Sequence, residues 1–162
     1  MLIQIIVNTP IWVFILFFAL LITGYIQSKD RTLSKFKLIT LPMIMIVLSL
    51  SGVYSTTGVD TIGLFPWSVG IVLTALLTGK ILPENIATYT DETKTFSIPG
   101  SWYPMALIMA IFLKKYSMGI LTGMNNPIVF TSEFIIGFSF LNGCFSGIFL
   151  ARVVAIIQKS RV

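Results

Sequence analysis

Histidine is absent from the sequence, and Cys144 is its only cysteine. An internal disulfide, a dithiol redox centre and a zinc or haem site built on histidine are therefore excluded. The chain has only six acidic residues, and none of them lies in the middle of an apolar run. Paired carboxylates for acid–base chemistry inside a membrane are missing. We expect no metal, no cofactor and no enzymatic activity, with a lysine- or tyrosine-based mechanism as the remaining catalytic alternative.

Charge of either sign is scarce as well. Charged residues make up 10% of the 162 residues, whereas soluble domains average about 25%. Hydrophobic residues make up 56%. This balance predicts one integral membrane domain over residues 1–162, with no separate soluble domain. The net charge of +5 comes from basic residues in short segments beside apolar runs, a pattern that indicates membrane topology and not nucleic-acid binding.

Five apolar runs, each close to the roughly 20 residues that a spanning helix needs, predict an all-α bundle of transmembrane helices. A proline lies at the start of the first and of the third run, and each is followed by a tryptophan within two residues. Both features are typical of helix starts at a membrane interface. The predicted spans lie at about residues 10–27, 36–54, 66–82, 102–123 and 132–157.

The basic residues also predict an orientation. Residues 28–37 form a short segment with four basic residues and one acid, and Lys159 and Arg161 lie at the C-terminus. Short basic segments face the cytoplasm, so five spans place the N-terminus outside and the C-terminus inside a bacterial inner membrane. Docking of anionic lipid is the alternative role of the segment at 28–37.

Residues 80–101 form the longest hydrophilic segment, and its charge is mixed. Alternating polar and apolar residues in its Thr-Tyr-Thr and Thr-Phe-Ser pieces are compatible with a small hairpin or an interfacial strand. We expect a plain loop on the cytoplasmic side, because strict alternation of the five spans places it there.

Lys114 and Lys115 lie past the middle of the fourth span, where a charge costs about 2.5–3.5 kcal/mol on insertion scales. Gly119 and Thr122 share the helix stripe of Lys115, with Gly123 beside them, whereas the stripe of Lys114 is apolar. We therefore expect Lys115 to point toward the bundle and Lys114 to extend toward the outer headgroups. The alternatives are that both lysines extend to the interface, or that the span boundary lies elsewhere.

Small residues four apart predict two close helix contacts, one at Gly119 and Gly123 and one at Gly143 and Gly147. Asn142 lies in the same fifth span, and a buried side-chain amide there needs hydrogen-bond partners. Arg152 lies about a turn and a half before the end of that span. It reaches the cytoplasmic headgroups or contacts an interior anion.

The stretch PGSWYPMALIMAIFLKKYSMGIL and the later GCFSGIFLAR resemble a family of small multi-spanning bacterial membrane proteins of unknown function. The shared pattern is a Pro-Gly-Ser-Trp start, a Phe-x-x-Lys-Tyr piece and a final helix with Gly-x-x-x-Gly-x-x-x-x-Arg. The resemblance covers mainly the last two spans and implies a multi-pass inner-membrane protein. It favours Lys115 over Lys114 as the functional lysine, because Lys115 is the lysine of the shared pattern. The matching residues are Pro99, Gly100, Ser101, Trp102, Phe112, Lys115, Tyr116, Gly143, Gly147 and Arg152.

Two functions follow from these residues. The first is a binding or transport module that receives an anionic solute or a lipid headgroup in a cationic polar site between the fourth and fifth spans. The second is a structural or accessory subunit that docks through its glycine faces onto a second copy or a larger membrane complex. The residues assigned to the polar site are Lys115, Tyr116, Asn142 and Arg152.

Overall fold

The computed structural model describes residues 7–57, 60–82 and 87–159. Most of this described chain is helical, with a short 3-10 turn at Pro127–Phe130. Three short strands are present: β1 is Arg31–Ser34, β2 is Thr88–Thr90 and β3 is Thr95–Ile98. The α-helices are α1 (Ile11–Gln27), α2 (Lys35–Thr57), α3 (Thr61–Ile81), α4 (Tyr103–Gly123) and α5 (Ser132–Lys159).

Four of these helices, α2 to α5, are long and apolar enough to cross a membrane. Helix α1 is apolar too but has 17 residues, which corresponds to about 26 Å at 1.5 Å per residue. That length is at the lower limit for crossing a hydrocarbon layer of about 30 Å. The fold is therefore compatible with a helical membrane protein, and each predicted span overlaps one helix.

The three strands form an antiparallel sheet in the order β1-β3-β2. A plain loop at 80–101 is therefore the wrong expectation, and the hairpin alternative is correct for its described part; residues 83–86 lie outside the described residues. The alternation has a physical cause, because Phe96 and Ile98 are 4% and 2% exposed while Ser97 between them is exposed. The basic segment at 28–37 also contributes a strand, which no sequence pattern indicated.

The described chain divides into two compact units. The first consists of Met1–Asp30 and Gly100–Val129, and the second of Arg31–Pro99 and Phe130–Val162. The first unit therefore holds α1 and α4. The second holds the sheet with α2, α3 and α5. The single membrane domain predicted over 1–162 stays a prediction.

In the first unit α1 and α4 run antiparallel and are in contact at three levels. At one end the position of a Cβ on Gly24 lies 2.8 Å from Cγ of Met105. In the middle the rings of Phe17 and Phe112 have centroids 5.4 Å apart. At the other end the hydroxyls of Thr9 and Tyr116 are hydrogen-bonded at 2.7 Å. These two residues are 107 positions apart, so the contact ties the start of α1 to the middle of α4.

In the second unit one face of the sheet covers the ends of the helices. Phe96 and Ile98 of β3 form a buried core with Leu38 from the first turns of α2 and Ile156 from the last turns of α5. Complete burial of such a side chain stabilises a fold by about 1.5–3 kcal/mol. The core therefore holds the sheet, the start of α2 and the end of α5 together at one end of the unit, here called the sheet end.

Candidate functional site

Helices α3 and α5 of the second unit approach each other closely at their glycines. A Cβ on Gly143 would meet the carbonyl oxygen of Trp67, and a Cβ on Gly147 would lie 2.5 Å from the carbonyl oxygen of Ile71. From the other side, a Cβ on Gly70 would lie 2.5 Å from the carbonyl oxygen of Phe140. Backbone therefore packs on backbone here, as the spacing of Gly143 and Gly147 suggests for that face.

Asn142 lies inside this packing and is only 3% exposed. The hydroxyl of Ser49 on α2 donates to the backbone carbonyl of Asn142 at 2.9 Å, and the indole N–H of Trp67 donates to the same Ser49 oxygen at 2.9 Å. Ser146 also donates to the carbonyl of Asn142, at 3.1 Å. The amide nitrogen of Asn142 lies 4.0 Å from the Cβ position of Gly52 on α2. Asn142 thus belongs to the junction of α2, α3 and α5.

Arg152 lies elsewhere on α5, one turn before the buried Ile156. Its side chain is half-buried. It is therefore close to the sheet end of the second unit, roughly 15 Å along the helix from Asn142 at 1.5 Å per residue.

Lys115 and Tyr116 belong to the first unit, and the neighbouring Lys114 differs from Lys115 in its exposure. Lys115 is exposed, whereas Lys114 is half-buried. Phe112 and Tyr116 mark the side of α4 that meets α1. Lys115 lies on the flank of this side and Lys114 lies opposite to it. Contact with α1 therefore does not account for the burial of Lys114, and the orientation expected for the two lysines stays a prediction.

Gly119 and Gly123 are the second glycine pair at which a close helix contact was expected. Within the described residues, a Cβ on either glycine would meet no atom within 4 Å. Both lie on the α1-facing side of α4, but one and two turns beyond Tyr116 and therefore beyond the level of Thr9. The close contact expected at this pair has no partner in the described part of the chain.

The Pro-Gly-Ser-Trp piece joins the ends of α1 and α4 in the first unit. The Gly100 N–H donates to Oδ1 of Asp30 at 2.6 Å, and Ser101 Oγ accepts from the N–H of Tyr103 at 3.2 Å. The ring of Trp102 lies 6.4 Å from that of Tyr25. Sequence reasoning identified the motif but missed Asp30 and Tyr25, and the only signal for Asp30 was its position as the single acid in a basic segment.

The structure thus divides the four residues of the expected site into two pairs. Lys115 and Tyr116 are neighbours on α4 in the first unit, and Asn142 and Arg152 are in the second unit on different turns of α5. A site that combines all four stays a prediction.

Neither a curated protein nor a solved structure matches the chain. A family model does match it, over residues 1–161, and its description is a family of unknown function. This fits the expectation of a family of unknown function, whereas the motif pattern in the last two spans stays a prediction. The chain therefore belongs to the DUF6622 family of unknown function.

Proposed function

We propose that the protein is a multi-pass protein of the bacterial cytoplasmic membrane with five spans, its N-terminus outside and its C-terminus inside. Helix α1 is counted as a span in this proposal, in addition to α2 to α5, although its length is near the lower limit for crossing a membrane. The protein acts as a non-enzymatic binding module for an anionic ligand.

The sheet end supports the orientation. Strand β1 follows α1, β3 precedes α4, and Ile156 near the end of α5 packs beneath the sheet. The two connecting segments and the end of α5 therefore meet on one side of the second unit. Nine of the eleven basic residues lie in segments 28–37, 80–101 and 152–162. That side is the cytoplasmic one on the positive-inside rule.

Cysteine labelling tests this topology in a Cys144→Ala background. We expect a membrane-impermeant maleimide to label Asn8→Cys and Met124→Cys in intact spheroplasts, because both lie at the outer ends of helices. Thr90→Cys and Ser160→Cys should react only after permeabilisation. Reaction of Thr90→Cys in intact spheroplasts would reverse the orientation. Failure of Asn8→Cys alone to react would remove α1 as a span and leave the other four.

The role in binding rests on Lys115. Its ammonium is exposed on α4, about 18 Å along the helix from Tyr103 at 1.5 Å per residue, which is deep within a spanning helix. A cation at that depth needs a counter-charge, water or a route to the interface. An anionic solute or lipid headgroup supplies the counter-charge, and Tyr116 is held beside it through its bond to Thr9. Asn142 and Arg152 belong to the second unit, and a site that includes them stays a prediction.

A second candidate is an accessory subunit that docks through α4. The observation in its favour is that Gly119, Thr122 and Gly123 are exposed along the side of α4 near Lys115. The Gly143 and Gly147 face is already covered by α3 within the chain, so it is not open for assembly. A partner helix against Gly119 and Gly123 would bring its own polar groups to the lysine.

One experiment separates the two candidates. Reductive ¹³C-methylation of the lysines retains their charge and gives each an NMR signal, which Lys115→Arg and Lys114→Arg assign. If α4 binds an anion, octyl phosphate should shift the Lys115 signal at least twice as far as the Lys114 signal. If α4 docks a partner, Gly119→Leu should lower the mass of the detergent-solubilised particle while octyl phosphate leaves both signals in place. Equal shifts of the two lysines would contradict a site organised around Lys115.

A further inference from the structure

The sheet carries one charged residue among its strand residues, and that residue lies on the face turned toward the helices. Arg31 pairs with Ile98 and Leu33 pairs with Phe96 in the antiparallel register. Paired residues share a face, so Arg31 lies on the face whose apolar side chains cover the ends of α2 and α5. Its side chain is half-buried there, and this burial lowers the pKa of the guanidinium.

The other face of the sheet is lined by hydroxyl groups. Two cross-strand rows of three residues each lie on it, and none of these residues is charged. A solvated arginine would suit this outer face, which points away from the helices, better than the inner one. The residues of the two rows are Thr32, Ser97 and Thr88, and Ser34, Thr95 and Thr90.

Arg31 has no anionic partner in the described part of the chain. Burial is the cause of its lowered pKa, and no described carboxylate forms an ion pair with its guanidinium. The carboxylate of the preceding residue, Asp30, accepts the backbone N–H of Gly100. A guanidinium held at an apolar boundary without a carboxylate fits a phosphate, which its planar fork binds through two hydrogen bonds.

The first turn of α2 adds two more cations beside this face. Lys35 and Lys37 are exposed there, and this turn has no acidic residue, although the start of a helix favours carboxylates over cations. Phe36 between them is 80% exposed. An exposed aromatic ring flanked by lysines at the end of a spanning helix is typical of the boundary between acyl chains and phosphates.

We propose that Arg31, Lys35 and Lys37 form a binding surface for the headgroup of an anionic phospholipid, whose acyl chains lie along α2 beyond Phe36. The position at the polar end of a membrane-spanning helix favours a lipid over a soluble phosphate ester, which has no use for the exposed ring. The proposal rests on the proposed spanning of α2. It depends neither on which end of α2 is cytoplasmic nor on the site at Lys115.

Native mass spectrometry of the full chain released from nanodiscs of equal phosphatidylglycerol and phosphatidylcholine measures this preference directly. The wild type should retain phosphatidylglycerol preferentially. Arg31→Gln should reduce the ratio of the two bound lipids about fivefold, and Lys35→Gln with Lys37→Gln by more, because each basic residue near an anionic surface contributes about 1 kcal/mol. The double lysine variant changes only exposed side chains and therefore keeps the test valid if Arg31→Gln does not fold.

Lys94→Gln is the matched control, because Lys94 is an exposed cation in the β2–β3 turn, outside the paired strand residues. It should leave the lipid ratio unchanged. An equal loss in this variant would mean that the lipid preference reflects overall positive charge and not this surface.

Displacement of phosphatidylglycerol by millimolar glycerol 3-phosphate would assign the surface to a soluble phosphate. Glu84 lies outside the described residues, so Glu84→Gln is measured too, and a severalfold gain in lipid would show that Arg31 is already occupied by that carboxylate. Inverted cysteine labelling would change the proposed topology but none of these ratios, so the two failures are distinguishable.

Discussion

Gly143→Ala is expected to lower the stability of the protein by about 3 kcal/mol or more, since one methyl group must enter a backbone contact. The added Cβ would fall on the carbonyl oxygen of Trp67, 2.9 Å from its carbonyl carbon and 3.1 Å from the nitrogen of Ile71. All three are backbone atoms, so no change of side-chain rotamer can relieve the clash. Helix α3 would have to move away from α5, which would also lengthen the 3.1 Å hydrogen bond from the Thr74 hydroxyl to the Cys144 carbonyl. Thermal unfolding in mild detergent measures the loss.

Gly137→Ala is the control on the same helix. A Cβ on Gly137 meets no atom within 4 Å in the described part of the chain. Alanine is the better helix former by about 0.8–1.0 kcal/mol, so this variant should be neutral or more stable. Equal unfolding temperatures for Gly143→Ala and Gly137→Ala would mean that α3 and α5 do not pack through their backbones.

The glycine contacts show how far a sequence can predict a membrane fold. The four-residue spacing identified the correct face of α5 at Gly143 and Gly147, because the period of one helix is a local property. It did not identify α3 as the partner, and it suggested an equally close contact for Gly119 and Gly123. The arrangement of helices depends on contacts across 70 or more residues, as between Thr74 and Cys144, and no local pattern encodes them.

Helix positions were predictable where a strong local signal marks an end. The predicted span 102–123 agrees with helix α4 at Tyr103–Gly123. Local signals mark both of its ends, because Pro104 lies in the first turn and Asn125-Asn126-Pro127 follows the helix. The span expected at 66–82 begins earlier, at Thr61. There the carboxylate of Asp60 accepts the N–H of Ile62 at 3.3 Å and caps the helix, and Pro66 lies within it. A proline thus suggested a start one turn too late.

The sheet could not be predicted in full. The alternation over Thr95–Ile98 was visible, but strands of three or four residues are too short to distinguish a hairpin from a loop. Strand β1 lies in a basic segment that indicates topology, and its pairing of Arg31 with Ile98 is non-local.

Gly100 lies close to the backbone at the end of α1 in the first unit. Its N–H donates to the carboxylate of Asp30 at 2.6 Å. A Cβ at this position would meet the carbonyl oxygen of Ser28 and would lie 2.8 Å from the carbonyl carbon of Lys29. The start of the Pro-Gly-Ser-Trp motif is therefore pressed against the end of α1, and only a glycine fits without moving one of the two segments.

Gly100→Ala should therefore lower the stability of the first unit by about 2–3 kcal/mol, the range expected for overpacking against backbone. The lost contact is local, so hydrogen exchange is the sharper measurement. We expect amide protection to fall in the last turn of α1 and in the first turn of α4, where Ser101 accepts the N–H of Tyr103. Protection in α3 and α5 of the second unit should stay at the wild-type level.

Two variants separate the steric effect from the hydrogen bond. Asp30→Asn keeps an acceptor oxygen for the Gly100 N–H and loses only its charge, and the bond is exposed to solvent, so it should cost less than about 1 kcal/mol. Gly123→Ala, at the far end of α4, meets no atom within 4 Å among the described residues and should cost nothing. If Asp30→Asn were as damaging as Gly100→Ala, the charge-assisted hydrogen bond would hold the two helix ends together. If Gly100→Ala were as stable as Gly123→Ala, the backbone contact between Gly100 and Ser28 would be too loose to require a glycine, and the motif would need another explanation.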